Sequence, residues 1–202
     1  MSDQSAIPKT AKQRGKISPV KLAHIVYKTS RFDEMIDWYQ TVLEAEIMTA
    51  TPVVTFLTYD DEHHRIAIAN MPDLQERPFQ SAGVEHCAFT YASLDDLFAT
   101  YERLAAIEIM PYWTINHGPT LSMYYRDPDN NQVELQIDIF ENNNEVNEWF
   151  KQSDFSTNPI GVKFDPKELI GRYRGGEDRA TLLARRRIDP AELFGQFPAP
   201  PA

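Results

Sequence analysis

Residues 21–48, KLAHIVYKTSRFDEMIDWYQTVLEAEIM, recur 62 positions later as a diverged copy, residues 83–110, GVEHCAFTYASLDDLFATYERLAAIEIM. The apolar positions of the two segments coincide, and six aligned residues are identical. These identical pairs are His24/His86, Asp33/Asp95, Tyr39/Tyr101, Glu46/Glu108, Ile47/Ile109 and Met48/Met110. An internal repeat of this kind indicates two copies of one structural unit.

Each copy contains one predicted amphipathic helix. Its apolar residues recur at steps of 3, 4, 7 and 10 from the first, which places them on a single helix face. These residues are Phe32, Met35, Ile36, Tyr39 and Val42 in the first copy, and Leu94, Leu97, Phe98, Tyr101 and Leu104 in the second. Ser30 and Ser93 stand just before the two helices, and we expect their hydroxyls to cap the first turns.

Short apolar runs of strand length surround each helix. They cover residues 22–27, 46–49, 53–58 and 65–69 in the first copy, and 84–89, 108–110, 121–126 and 132–137 in the second. The sequence therefore predicts an α+β fold, in which paired βαβββ units at 21–70 and 83–139 form a single module over residues 20–140. A flexible N-terminal arm is expected at 1–19, and a partly helical C-terminal extension at 141–202.

The composition excludes several classes of protein. The 202 residues carry 30 acidic and 20 basic side chains, and a net charge of −10 argues against binding to a nucleic-acid backbone. No apolar run reaches the ~18 residues of a membrane span, and the N-terminus lacks the apolar core of a secretory signal. The single cysteine, Cys87, excludes a disulfide framework and is expected in the core. We expect a cytoplasmic protein.

Two histidines and one carboxylate form a candidate metal site. His24 and His86 occupy the same position in the two copies, so pseudo-twofold symmetry allows them to face one another across a cavity. Glu134 stands between apolar neighbours in the last predicted strand, and a buried carboxylate is costly unless it is paired or metal-bound. Two imidazoles and one carboxylate hold Fe(II) in non-haem oxygenases, and Mn(II) is the alternative. The first copy has Ala67 at the position of Glu134, which leaves coordination positions open. Hydrogen-bonded core histidines are the other interpretation.

The stretch from 117 to 135, HGPTLSMYYRDPDNNQVEL, carries the most specific motif. Together with the repeat, it resembles the vicinal oxygen chelate superfamily, and more closely the type I extradiol dioxygenases of that superfamily. The family signature contains His-Gly, Tyr, Asp-Pro-Asp-Gly-Asn and Glu-Leu in this order. Asn130 stands where the family usually has glycine, and this chain has one module where larger members have two. The resemblance covers residues 20–140.

This resemblance implies a role for each candidate site residue. The metal ligands would be His24, His86 and Glu134, and the residues that handle substrate and protons would be His63 or His64, His117 and Tyr124. Strand alternation favours His63 over His64, because it places His63 on the face of Ala67. Two alternatives remain open: both histidines can lie in a solvated turn, and Tyr124 can be a core aromatic residue.

The activity implied by the resemblance is Fe(II)-dependent extradiol ring cleavage, with O₂ inserted into a small aromatic diol of the catechol type. Phe56, Met110, Trp113 and Ile115 are candidates for an apolar wall against the ring, or are ordinary core residues. One alternative is a metal-dependent enzyme of the same fold that acts like a glyoxalase, an epimerase or a thiol transferase. The other is a non-enzymatic small-molecule binder.

The C-terminal extension lies outside the repeat. Its patterns predict helices at 146–150, at 167–173 after a cap at Asp165 and Pro166, and at 177–187. Arginines at 185–187 would lie at the end of the last helix or on a solvated face. Seven aromatic residues along the extension indicate that it packs on its own module or on a partner subunit, and we expect a homodimer or a higher homo-oligomer.

Overall fold

A computed structural model of the chain describes residue 10 and residues 15–75, 78 and 81–198. Most of the predicted arm at 1–19 and the last four residues, 199–202, lie outside these described residues. Within the described part of the chain, no helix is long and apolar enough to cross a membrane.

The first unit has the predicted βαβββ order. Its elements are β1 (Ile25–Thr29), α1 (Phe32–Leu43), β2 (Glu46–Ala50), β3 (Val54–Thr58) and β4 (Ile66–Asn70). The strands form one sheet in the order β1-β4-β3-β2, in which β1 and β4 are parallel and the other neighbours are antiparallel. The edges of this sheet are therefore β1 and β2.

The second unit repeats this topology and adds one strand. Its elements are β5 (His86–Thr90), α2 (Leu94–Ala105), β6 (Trp113–Asn116), β7 (Thr120–Arg126) and β8 (Gln132–Asp138). The sheet order is β5-β8-β7-β6-β9, where the short strand β9 (Val162–Lys163) comes from the C-terminal extension. The α+β fold of paired βαβββ units is thus confirmed.

The two helices bury the faces that their periodicity predicts. Nine of the ten predicted positions are buried, and only Phe32 is partly exposed. Side chains from both helices and both sheets belong to one hydrophobic core. Burial of one apolar face per helix is the main contribution that holds each helix in place, because isolated helices of about 12 residues are marginal in water.

The helix starts differ from the prediction in one copy. The hydroxyl of Ser93 accepts a hydrogen bond from the backbone N–H of Asp96 at 3.1 Å, so Ser93 caps α2 as expected. The prediction for Ser30 is wrong, since α1 begins after Arg31, which makes no side-chain cap. The hydroxyl of Thr29 instead accepts a hydrogen bond from the N–H of Arg31 at 2.8 Å.

The strand predicted at 108–110 is also wrong. Glu108 has a positive φ of 63°, and the N–H groups of Glu108 and Ile109 donate to the carbonyls of Ala105 and Leu104 at 3.2 and 3.0 Å. This pattern is a Schellman motif, which ends a helix. In the first copy the left-handed residue is Glu44, which comes earlier in the repeat and leaves the same Glu-Ile-Met residues free to form β2.

The C-terminal extension folds onto the second unit. Its helices are α3 (Asn143–Gln152), α4 (Pro166–Arg174) and α5 (Arg179–Leu183), followed by a 3-10 helix (Pro190–Gln196). The extension contributes four residues to the common core, namely Leu169, Ile170, Leu182 and Leu183.

The helices of the extension agree with the prediction at Asp165 and differ from it at 177–187. Asp165 caps α4, because its carboxylate accepts from the N–H of Lys167 at 2.8 Å, and Pro166 occupies the first turn. The helix predicted at 177–187 ends at Leu183, so the three arginines lie beyond it. Arg185 is not on a solvated face either, since only 1% of its side chain is exposed.

Candidate active site

The strand register relates the two units position by position. In the second unit, Glu134 of β8 lies opposite Ala88 of β5 and opposite Tyr124 of β7. In the first unit, Ala67 of β4 lies opposite Val26 of β1 and opposite Phe56 of β3. Ala67 is therefore the counterpart of Glu134, as the sequence predicts, and Phe56 is the counterpart of Tyr124.

Glu134 is a buried carboxylate held by a histidine. Only 4% of Glu134 is exposed, and its Oε2 lies 2.9 Å from Nε2 of His86. Burial alone would raise the pKa of Glu134, but hydrogen bonds with His86 and Ser122 hold it below its usual value. The bond to Glu134 raises the pKa of His86 to about 9, against the effect of burial and with a further contribution from Glu85. This pair brings together two of the three predicted metal ligands.

Tyr124 and His117 lie next to this pair. Nε2 of His117 lies 3.0 Å from the hydroxyl oxygen of Tyr124, and the Tyr124 ring packs edge-to-face on His86 with centroids 5.2 Å apart. Tyr124 is 3% exposed, and burial, followed by the neighbouring charge of Glu134, raises its pKa well above the usual value. The structure thus places four of the predicted site residues in one cluster of the second unit, which we call the polar cluster: His86, Glu134, Tyr124 and His117.

The remaining histidines form a second group in the first unit. The ring of His64 stacks on Phe56 and packs against His24, with ring centroids 4.4 Å apart in both cases. The side chain of His63 is 69% exposed. His64, rather than His63, therefore lies against the predicted ligand. Strand alternation does not decide this, because both histidines precede the first residue of β4, Ile66, and lie outside the strand. We call His24, His64 and Phe56 the aromatic cluster.

Among the described residues, the three predicted ligands do not meet as one group. Among the residues described by the structure, no three His, Cys, Asp or Glu side chains form a group that could hold a metal ion. His86 and Glu134 are in contact, whereas the ring of His24 packs on His64. The donor chemistry of these side chains nevertheless fits Fe(II) or Mn(II), since imidazole nitrogen and carboxylate oxygen suit both metals and Glu134 is a buried charge that a cation would balance.

A cleft of about 490 Å³ runs between the edge strands β1 and β5. His86 lines this cleft, while the other members of the polar cluster do not. Cys87, which we expected in the core, is half-buried and also faces the cleft. The cleft therefore reaches the candidate site at His86.

The four residues proposed for an apolar wall occupy different environments. The ring of Trp113 packs on that of Tyr124 with centroids 4.7 Å apart, and Phe56 belongs to the aromatic cluster. Ile115 is fully buried, and Met110 is 51% exposed. Trp113 and Phe56 therefore each pack on a predicted site residue.

Sequence reasoning did not identify the groups that support His86. Nδ1 of His86 contacts the carboxylate of Glu85, whose other oxygen accepts a hydrogen bond from the amide of Gln132. Gln132 lies opposite His86 in the register of β5 and β8. The only available signal was the position of Glu85 next to His86 in the sequence, because pairing across strands is not visible there.

Three comparisons place the chain among known proteins. The family model described as Glyoxalase/Bleomycin resistance protein/Dioxygenase superfamily matches residues 21–135. Biphenyl-2,3-diol 1,2-dioxygenase 2 of Rhodococcus globerulus is 45% identical over 167 residues, which cover 81% of this chain and 88% of the relative. Biphenyl-2,3-diol 1,2-dioxygenase 3 of the same organism is 40% identical over 167 residues, which cover 82% of this chain and 88% of that relative.

One solved structure agrees with this fold. The crystal structure of a glyoxylase/bleomycin resistance protein/dioxygenase domain from Frankia sp. EAN1pec superposes with a TM-score of 0.51. Its sequence is 20% identical, and the match covers 60% of this chain and 99% of the Frankia domain. At this identity the similarity supports the fold alone.

Proposed function

This chain belongs to the glyoxalase/bleomycin resistance protein/dioxygenase superfamily, and from that premise we propose that it is an extradiol ring-cleaving dioxygenase acting on a catechol-type aromatic substrate. The observation that carries the proposal is its 45% identity, over most of both chains, to a protein named for the oxygenation of biphenyl-2,3-diol. The substrates are therefore a small aromatic diol and O₂.

The proposed metal is Fe(II), with Mn(II) as the alternative, bound by His24, His86 and Glu134. Support comes from the buried contact between His86 and Glu134 and from the equivalent position of His24 in the other unit. When bound, such a metal supplies adjacent positions for the two substrates and a path for electrons between them. Two neutral imidazoles and one carboxylate leave those positions free.

The side chains around the ligands handle hydrogen bonds and protons. The hydroxyl of Tyr124 is held by Nε2 of His117 and can accept a hydrogen bond from a hydroxyl of the diol. His64 gives or takes a proton at a ring nitrogen. Burial, followed by the neighbouring histidines, lowers its pKa, so an unprotonated ring is available near neutral pH. His64 takes this role in preference to His63 because it touches His24 and Phe56.

The position of Ala67 favours oxygenation over isomerisation. A glyoxalase-like or epimerase-like reaction on this fold would require a fourth protein ligand or a second carboxylate base. The register places Ala67 where the first unit would have to supply it, and a methyl group can neither bind a metal nor move a proton. Three ligands are the set that leaves room for both a diol and O₂.

A homo-oligomer and a cytoplasmic location are also proposed. All five residues of the edge strand β2 are exposed, including Ile47 at 44% and Met48 at 54%. An uncovered edge with apolar side chains is a site of pairing with another chain. The one cysteine, Cys87, is free, which suits a reducing compartment.

The function is tested by oxygen uptake. The protein is loaded anaerobically with Fe(II) and mixed with a panel of catechols that includes biphenyl-2,3-diol. The expected result is consumption of one O₂ per diol and a yellow ring-opened product for at least one substrate. If the loaded protein consumes no O₂ with any diol of the panel, the proposed activity is wrong.

A further inference from the structure

The loop that follows β6 meets the C-terminal extension at two glycines. Gly118 has a φ of 103°, and a Cβ at this position would collide with the indole ring of Trp149. Gly161 has a φ of 125°, and a Cβ there would collide with the backbone carbonyl of Asn116. Only glycine allows both the left-handed backbone and this close approach. The loop is therefore packed tightly against the extension, at Gly161 backbone to backbone and at Gly118 against an indole ring.

Arg185 holds these two segments together from inside. One of its terminal nitrogens donates to the carbonyl oxygens of His117 and Asn158, both at 3.1 Å, and the other donates to the carboxylate of Asp154. The guanidinium carbon lies 4.8 Å from the ring centre of Trp149. With 1% of the side chain exposed, this buried charge is tolerable because its carboxylate partner and its hydrogen bonds are all present.

The ring of His117 lies between the extension and the other members of the polar cluster. Its Nδ1 contacts the carbonyl oxygen of Ile160 in the extension, and its Nε2 lies 3.0 Å from the hydroxyl of Tyr124. A carbonyl oxygen can only accept, so Nδ1 carries the hydrogen. In the neutral ring Nε2 then has a free lone pair, and the hydroxyl of Tyr124 is the donor. Burial lowers the pKa of His117, which favours this neutral ring.

We infer that the extension is a positioning element for His117: the carbonyl of Ile160 fixes the ring in its Nδ1–H tautomer, and Arg185 holds the backbone that presents this carbonyl. The hydroxyl of Tyr124 is thereby directed at Nε2, and its lone pairs are left to accept from a substrate. Arg185 and Ile160 are positioning groups, since neither contacts the polar cluster except through His117. The consequence for turnover rests on the proposed function, whereas the tautomer does not.

Nitrogen NMR on the full-length protein tests the tautomer directly. Histidines are labelled with ¹⁵N, the protein is kept free of iron to avoid broadening, and His117 is assigned with the variant His117→Gln. In the wild type we expect a protonated Nδ1 and an unprotonated Nε2. Arg185→Ala should give a mixture that includes the Nε2–H tautomer. Arg185→Lys keeps the charge but cannot bind two carbonyls and a carboxylate together. Its fraction of the Nε2–H tautomer should lie between those of the wild type and of Arg185→Ala.

The adjacent arginine provides a matched control. Arg186 is 59% exposed in its side chain and contacts Glu192 at 3.4 Å, so Arg186→Ala removes the same charge without touching His117. In this variant the His117 nitrogen signals should equal those of the wild type. If Arg185→Ala fails to fold, Arg185→Lys still tests the inference.

Steady-state kinetics on the iron-loaded variants measure the effect on the reaction. We expect kcat to fall about 10- to 100-fold in Arg185→Ala, because a misplaced group costs this much, with unchanged iron content and a smaller change in KM. An Nδ1–H signal in the wild type that persists unchanged in both Arg185 variants overturns the inference, whatever happens to turnover. If the tautomer shifts in the Arg185 variants but the iron-loaded wild type cleaves no diol, the positioning role is supported and the proposed function is contradicted.

Discussion

The two units have the same topology but differ at the positions proposed to carry the chemistry. In the second unit the register brings Glu134 opposite Tyr124, and a histidine holds the carboxylate. In the first unit the same positions are Ala67 and Phe56, and the exposed ring of His24 packs on that of His64. The duplicated scaffold therefore supplies one side with a buried carboxylate and one side made of aromatic rings, which suits a flat aromatic diol.

The outer strands of the two sheets differ as well. The edge of β6 is covered by β9 of the extension, through the pairs Ile115 with Lys163 and Asn116 with Val162. The equivalent edge of the first unit, β2, is exposed along its whole length. The extension thus supports the unit that carries the polar cluster. The extension therefore holds the unit with the proposed active-site side chains, as expected if such side chains must be held rigidly.

Removal of the carboxylate should have the largest effect. Glu134→Ala deletes a proposed ligand, and we expect iron affinity to fall by more than the roughly 10- to 100-fold typical of residues outside the ligand shell. Metal analysis after gel filtration and oxygen uptake measure this. The control is Asp138→Ala, which removes an exposed carboxylate at the end of the same strand. This variant should keep its iron content and its oxygen uptake. Full iron content in Glu134→Ala would remove Glu134 from the ligand set.

Of the adjacent histidines at positions 63 and 64, only His64 should matter for turnover. His64→Phe keeps a ring to stack on Phe56 but cannot move a proton, so turnover should fall about 10²- to 10⁴-fold at unchanged iron content. His63→Phe changes the exposed neighbour and should retain turnover close to that of the wild type. The reverse outcome, measured by initial rates, would mean that His63 is the acid/base.

Tyr39 and Tyr101 occupy the same position in the two copies, so their contributions to the free energy of unfolding can be compared. The hydroxyl of Tyr39 donates to Oδ2 of Asp127 at 3.1 Å and ties the first helix to the second unit. No hydrogen bond involves the hydroxyl of Tyr101 within the described part of the chain. Tyr39→Phe should lower the free energy of unfolding by about 1–3 kcal/mol, because a buried carboxylate loses a donor, and Tyr101→Phe by less. Urea unfolding of both variants checks this, and equal losses would contradict it.

The burial of Asp127 also makes stability depend on pH. Burial raises the pKa of Asp127 to about 6, so the folded state holds its proton more tightly than the unfolded state does. The stability that this group contributes is therefore present below about pH 4 and declines as the pH rises to about 6. Relative to Asp127→Asn, the wild type should lose free energy of unfolding over this interval and not above it. A difference independent of pH would contradict this.

Most of the fold follows from the sequence because its signals are local. Helix faces such as Leu94, Leu97 and Phe98 are set by spacing alone, and all three are buried. The segment at 108–110 shows the limit of this reasoning. The same Glu-Ile-Met residues form β2 in the first copy and follow the helix end in the second, since the left-handed residue comes two positions later in the repeat there. Where the helix stops is decided by tertiary packing, which three residues do not encode.

The site is predictable only in part for a related reason. The motif around Glu134 and the repeated histidines identify residues, and strand register then gives their partners. The choice between His63 and His64 depends on a segment outside the strand, in which alternation does not apply. The buried position of Arg185 depends on contacts with residues 31 and 68 positions away, Asp154 and His117. Such contacts between distant segments have no periodic trace in the sequence.

The central claim is that both units contribute ligands to one iron site, and His24 tests it most directly, because its ring packs on His64 in the first unit. Anaerobic titration with Fe(II), followed by metal analysis of the full-length wild type and of His24→Ala, measures this. The account predicts one iron per chain in the wild type and loss of stoichiometric iron in His24→Ala, with the fold retained by circular dichroism. One iron per chain in His24→Ala would show that the second unit binds the metal without the first, and would contradict the account.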